Sequence, residues 1–111
     1  MKKRTAAVAL AVAAAVIVAL PVVAATPKLP GSVGPAFRIT MKKPTKPGKY
    51  TLVVADRSDL HNFRLKGPGV NVKTGVAAKG TKTFAIKVVK GKYTFICDPH
   101  AKTMKGSFTI R

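Results

Sequence analysis

Acidic residues are almost missing from this 111-residue chain: three Asp and no Glu stand against 21 Lys and Arg, giving a formal net charge of +18 at pH 7. Histidine is as scarce, with only His61 and His100. So little acid and base leaves no spare nucleophile–base pair for hydrolysis once the histidines have other work. Cysteine occurs once, at Cys97, which excludes an internal disulfide. In an exported chain that residue is a buried thiol, an intermolecular bridge or a metal ligand. Helical patterning is also missing. Beyond residue 25 no segment repeats apolar residues at a period of 3.6 over three turns, and there is no heptad and no internal repeat.

What is present begins with a secretion signal. Met1-Lys2-Lys3-Arg4 is followed by an uncharged, Ala- and Val-rich run from Thr5 to Leu20, then by Pro21-Val22-Val23-Ala24-Ala25. A basic start, an apolar middle and small residues before the junction are the three parts of a signal peptide. The signal is therefore assigned to residues 1–25, with cleavage after Ala25 and Ala24 as the alternative. An uncleaved anchor is the competing reading, since the apolar run approaches the ~20 residues of a membrane span. Pro21 counts against it, and the absence of a nearby cysteine excludes a lipid-modified terminus. The expected location is secreted, periplasmic or cell-surface.

Loss of Lys2, Lys3 and Arg4 with the signal takes the net charge from +18 to +15. Such a charge attracts polyanions, whether an acidic protein, anionic lipid or a cell-wall polymer. Nucleic acid would be the default partner inside a cell, and export argues against it. The remaining 86 residues suit one small domain with one core, expected as a monomer.

Residues 26–35 hold Pro27, Pro30, Gly31, Gly34 and Pro35, a density of breakers that predicts a flexible leader. The domain is then expected over 36–111. Phe37, Ile39 and Met41 alternate with Arg38, Thr40 and Lys42, predicting a strand over 36–42 with one buried face. Tyr50 to Ala55 reads as a second strand. In His61 to Lys66, parity puts His61, Phe63 and Leu65 inward and Asn62, Arg64 and Lys66 outward. Val70 to Lys79 is a short edge strand or a loop. Thr81 to Val89 follows as another strand, and Lys90-Gly91-Lys92 makes a turn. Tyr93, Phe95 and Cys97 share the next inward face, and Ser107 to Arg111 closes the chain. Six to eight short strands separated by Gly and Pro turns predict an all-β domain, a sandwich or a barrel.

The stretch from Cys97 to Met104 brings a thiolate, the imidazole of His100 and a thioether into eight residues. This mixed, soft donor set favours copper over zinc, calcium or magnesium. A further ligand must come from elsewhere, and His61 is the only other histidine. Taken singly, each residue has a plainer use: His61 as an ordinary polar residue, Met104 as core filler, Cys97 as a buried thiol. Zinc would also take Cys and His, yet its structural sites have no use for Met104.

The order His61-Asn62-Phe63, Tyr93-Thr94-Phe95-Ile96-Cys97-Asp98-Pro99-His100 and Met104-Lys105-Gly106-Ser107-Phe108 resembles the small blue copper proteins. These are the cupredoxins of the plastocyanin, pseudoazurin and amicyanin group. The resemblance implies a Greek-key β-sandwich holding one copper ion through His61, Cys97 and His100, with Met104 as a weak axial ligand. It implies too that Asn62 ties the two ligand-bearing segments together. The chain departs from the group in one respect. Ala101, Lys102 and Thr103 separate His100 from Met104, one residue fewer than in plastocyanin and pseudoazurin and one more than in amicyanin.

The leading expectation is a non-enzymatic one-electron carrier cycling between Cu(I) and Cu(II), with an acidic redox partner and His100 as the electron port. Copper carriage or buffering outside the cytoplasm is a second reading, and a copper-free sandwich adhering to anionic surfaces a third. A multicopper oxidase or nitrite reductase would need histidines for a second site, and two histidines do not supply them.

Overall fold

The structure is a computed structural model that describes residue 9 and residues 11–17 and 25–111. The signal predicted over residues 1–25 lies largely outside the described residues. Among those described, no helix is long and apolar enough to cross a membrane.

Eight strands form two four-stranded sheets. In chain order they are β1 (Lys28–Val33), β2 (Ile39–Met41), β3 (Gly48–Asp56), β4 (Arg64–Gly67), β5 (Val70–Lys73), β6 (Gly80–Val88), β7 (Gly91–Ile96) and β8 (Lys105–Ile110). One sheet runs β2-β1-β3-β6 and the other β5-β4-β7-β8. All pairings are antiparallel except β1 with β3. Among the described residues a single 3₁₀ turn, Asp98–His100, interrupts the strands. Alternate residues of both sheets point inward and share one core, including Leu29, Val33, Leu52, Val54, Leu65, Tyr93, Phe95 and Ile110. That is the alternation by which a two-sheet sandwich buries one face of each strand.

The leader expected over 26–35 is overturned, since residues 28–33 form β1. Its Leu29, Gly31 and Val33 face the core, a period of two hidden by the breakers around it. Pro30 is tolerated because its missing N–H costs this strand nothing: β2 is paired only from Gly31 onward, and the Pro30 carbonyl accepts from Lys42 N–H at 2.8 Å. Gly31 is an advantage at its position, because a Cβ there would sit 3.2 Å from the Phe63 ring.

The strand expected over 36–42 shrinks to Ile39–Met41. Phe37 leaves it for the preceding loop and points outward, where parity had placed it in the core. The strand expected over 61–66 begins only at Arg64, where pairing to β5 and β7 starts, and β7 already begins at Gly91, within the expected turn. The remaining strands fall close to where alternation put them, and the uncertain 70–79 stretch resolves into the edge strand β5 followed by a loop.

Two aromatic residues of β7 lie over glycines of the flanking strands, Tyr93 over Gly67 of β4 and Phe95 over Gly106 of β8. Tyr93 also stacks on Phe108 at 5.0 Å between centroids. Its hydroxyl accepts from Val89 N–H at 3.0 Å and lies 3.2 Å from the Pro68 carbonyl. A ring held at both ends has no room to move. Replacing Gly67 by Ala should therefore destabilise the domain by about 1–3 kcal/mol through overpacking, read as a lower urea midpoint at unchanged slope.

Candidate metal centre

The four residues singled out in the sequence reach one end of the sandwich from two segments. His61 lies in the crossing from β3 to β4, while Cys97, His100 and Met104 lie in the connection from β7 to β8. Cys97 follows β7 directly, and its extended backbone (φ −93°, ψ 119°) leads into the 3₁₀ turn that Pro99 helps to start. Residues 97, 100 and 104 are then locked together by the backbone. His100 N–H donates to the Cys97 carbonyl at 3.0 Å, Met104 N–H to the His100 carbonyl at 2.8 Å, and Cys97 N–H to the Met104 carbonyl at 3.0 Å.

This closure brings three donor atoms together. Cys97 Sγ lies 3.7 Å from His61 Nδ1 and 3.6 Å from His100 Nδ1, and the two Nδ1 atoms are 3.1 Å apart. A point equidistant from the three is roughly 2 Å from each, the bond length of imidazole nitrogen to a first-row metal. One sulfur and two imidazole nitrogens in a tight triangle suit copper by donor softness as well as by size. His61, Cys97 and His100 thus form a site for one copper ion, and the residues present fit that ion. Cys97 and His61 are buried and His100 half-buried. Met104 is buried as well.

Asn62 does what the resemblance implied. Its backbone N–H donates to Cys97 Sγ at 3.4 Å, its Nδ2 to Asp98 Oδ2 at 2.7 Å, and its Oδ1 accepts from Asp98 N–H at 2.7 Å. Strand parity had put Asn62 on the outer face with Arg64 and Lys66. It is buried instead, because residues 61–63 precede the regular strand and the amide finds its partners across the gap.

Arg64 Nε continues this link outward, donating to Asp98 at 2.8 Å, and its Nη1 donates to Asn71 at 2.8 Å. The guanidinium holds the Asp98 carboxyl below the usual carboxylate range; burial opposes this, while the Asn62 amide and the Lys73 charge add to it.

Two supporting residues gave no signal in the sequence. Thr74 Oγ1 accepts from Phe63 N–H at 2.9 Å and donates to the buried carboxylate of Asp56 at 2.8 Å. Asn62 Nδ2 also reaches the Thr74 carbonyl at 3.3 Å. Thr74 sat in a stretch without periodicity and Asp56 read only as the end of a strand, so neither spacing nor residue type marked them. Phe37 was missed in a different way, having been assigned to the core. Its ring is edge-on to both His61 and His100, with centroids 5.0 Å from each.

A sequence model described as copper binding proteins, plastocyanin/azurin family, matches residues 40–111. The chain belongs to that family. The fold of this cupredoxin is similar to that of reduced rusticyanin, solved by NMR, with a TM-score of 0.53 at 20% identity over 76% of each chain. No curated protein sequence matches it.

Asn62 satisfies buried groups on both ligand segments, so its replacement by Ala should cost about 1–3 kcal/mol in the metal-free protein. In the same variant copper affinity should fall roughly 10–100-fold. Urea unfolding checks the first and competitive copper titration the second.

Proposed function

We propose that this cupredoxin is an exported, mononuclear blue copper protein that carries single electrons. The observation that carries the reading is the convergence of His61 Nδ1, His100 Nδ1 and Cys97 Sγ within 3.1–3.7 Å, already fixed by the protein alone. Copper bound there would supply the one-electron change between Cu(I) and Cu(II). Cys97 and the two histidines would hold it, with Met104 as the weak axial donor, an arrangement associated with electron transfer. The chain's own part is to keep those donors still. Asn62 and the backbone closure of residues 97–104 restrain sulfur and imidazoles in either oxidation state, which keeps reorganisation small. His100, the more exposed of the two imidazoles, is the port through which an electron would leave.

Copper delivery is the second reading. Burial of Cys97 and His61 weighs against it, since a receiving protein would have to reach both ligands. Signal 1–25, export and a domain starting after the signal belong to the same proposal, as does the non-enzymatic role. The partner it calls for is an acidic redox protein. Of the three Asp, Asp56 is buried and Asp98 is paired with Arg64, so the Lys and Arg side chains of the mature chain meet almost no free carboxylate at the surface.

Adding Cu(II) to the mature protein should produce an intense visible thiolate-to-copper band at one equivalent, and Cys97→Ser should abolish it. A colourless, copper-loaded protein would sink the reading. The charge makes a separate prediction. Oxidation of the reduced protein by ferricyanide should slow as salt rises, whereas oxidation by a cationic cobalt complex should quicken. Stopped-flow traces at several ionic strengths check the two slopes.

A further inference from the structure

We propose that Phe37 is the cover of the metal centre, and that it sets how fast metal and small molecules reach Cys97. The family match begins at residue 40, so nothing in that likeness assigns a role to the loop between β1 and β2. Phe37 sits in that loop with 71% of its surface exposed, a costly place for a phenyl ring that has no contact to make.

Its two aromatic contacts are both at the site. The ring centroids of Phe37, His61 and His100 form a nearly equilateral triangle with sides of 5.0, 5.0 and 4.8 Å. The rings meet at 65°, 87° and 69°, the edge-to-face arrangement aromatic groups favour. Phe37 therefore touches one imidazole from each of the two ligand-bearing segments.

The loop that presents it is tied down rather than loose. Gly34 N–H donates to the Arg38 carbonyl at 2.9 Å and Arg38 N–H to the Ala36 carbonyl at 2.7 Å. Arg57 N–H donates to the Val33 carbonyl at 3.0 Å, joining the start of the loop to the segment that carries His61. Gly34 has a φ of 69°, and a Cβ there would lie 2.6 Å from Ser58 Cβ and 3.5 Å from His61 Cδ2. Only glycine lets the backbone come so close to Ser58, in the segment that carries His61. The β1–β2 loop thus forms a wall of the site, and His61, though it belongs to a loop, is only 2% exposed.

The proposal depends on the copper reading in only one of its two measurements. In the metal-free protein, alkylation of Cys97 by iodoacetamide should be about tenfold faster in Phe37→Ala than in wild type, because both edge-to-face contacts are lost. Phe37→Leu, which keeps apolar bulk, should stay close to wild type. Urea midpoints of all three proteins separate local opening from a general loss of stability. In the copper-loaded proteins, withdrawal of Cu(I) by bathocuproine disulfonate should follow the same order.

Equal alkylation rates in wild type and Phe37→Ala would overturn the proposal, and so would a Leu variant as fast as the Ala variant. If copper fails to bind and Phe37→Ala still speeds alkylation, the copper reading falls and the cover stands. If copper binds and alkylation does not change, the cover falls alone.

Discussion

The exchange of hydrogen bonds between Asn62 and Asp98 is the contact on which the metal centre depends. Cys97, His100 and Met104 lie in one short loop and could keep their spacing by backbone closure alone. His61 comes from the crossing between β3 and β4, 36 residues before Cys97 in sequence, and lies outside that closure. A side-chain amide that donates to Asp98 Oδ2 and accepts from Asp98 N–H fixes two segments in both distance and orientation. The Asn62 N–H on Cys97 Sγ adds a third point, at the donor atom itself. A sulfur that accepts from a fixed amide cannot turn freely. The donor atoms are thus restrained by the chain's own hydrogen bonds.

That contact has its own foundations. Arg64 holds Asp98 from the solvent side, while the Thr74 hydroxyl accepts from the Phe63 amide and donates a hydrogen bond to Asp56. The chain's few carboxylates are concentrated here. Asp56 closes β3 in one sheet and Asp98 follows β7 in the other, so each sheet contributes an acid to the frame of the site. In a chain with three acids this distribution has a consequence for the surface as well. Two carboxylates are occupied by internal hydrogen bonds or an ion pair, and the lysines outside face almost no opposing charge. Rigidity inside and attraction of anions outside come from the same allocation of acids.

The sequence carried the parts of the fold that period and residue chemistry can encode. Tyr93, Phe95 and Cys97 alternate inward as read, and parity aimed His61 at the core even though the regular strand starts only at Arg64. The misreadings share a cause, because they lie where a partner far away in sequence decides the outcome. β1 was hidden by Pro30 and Gly31, which act as breakers in isolation; pairing to β3 over six residues makes the strand. Phe37 fitted the alternation of Ile39 and Met41, yet its partners are two imidazoles at the end of the sandwich. Asn62 was placed outward by parity and is drawn inward by Asp98. Thr74 and Asp56 could not have been found by spacing, since their link spans both sheets.

The loop length that sets this chain apart from its relatives falls where it disturbs the site least. Ala101, Lys102 and Thr103 are exposed, and the backbone bonds that place the ligands pass beside them, from Met104 N–H to the His100 carbonyl and from Cys97 N–H to the Met104 carbonyl. These two bonds fix where residue 104 leaves the loop and enters β8. A loop with one residue more or fewer must find a different turn between the same two anchor points, while Cys97 and His100 keep theirs through the 3₁₀ turn. Variation in this stretch therefore acts on the placement of Met104 first and on the sulfur–imidazole triangle last. Cys97 and His100 are thus insulated from the length of the stretch 101–103.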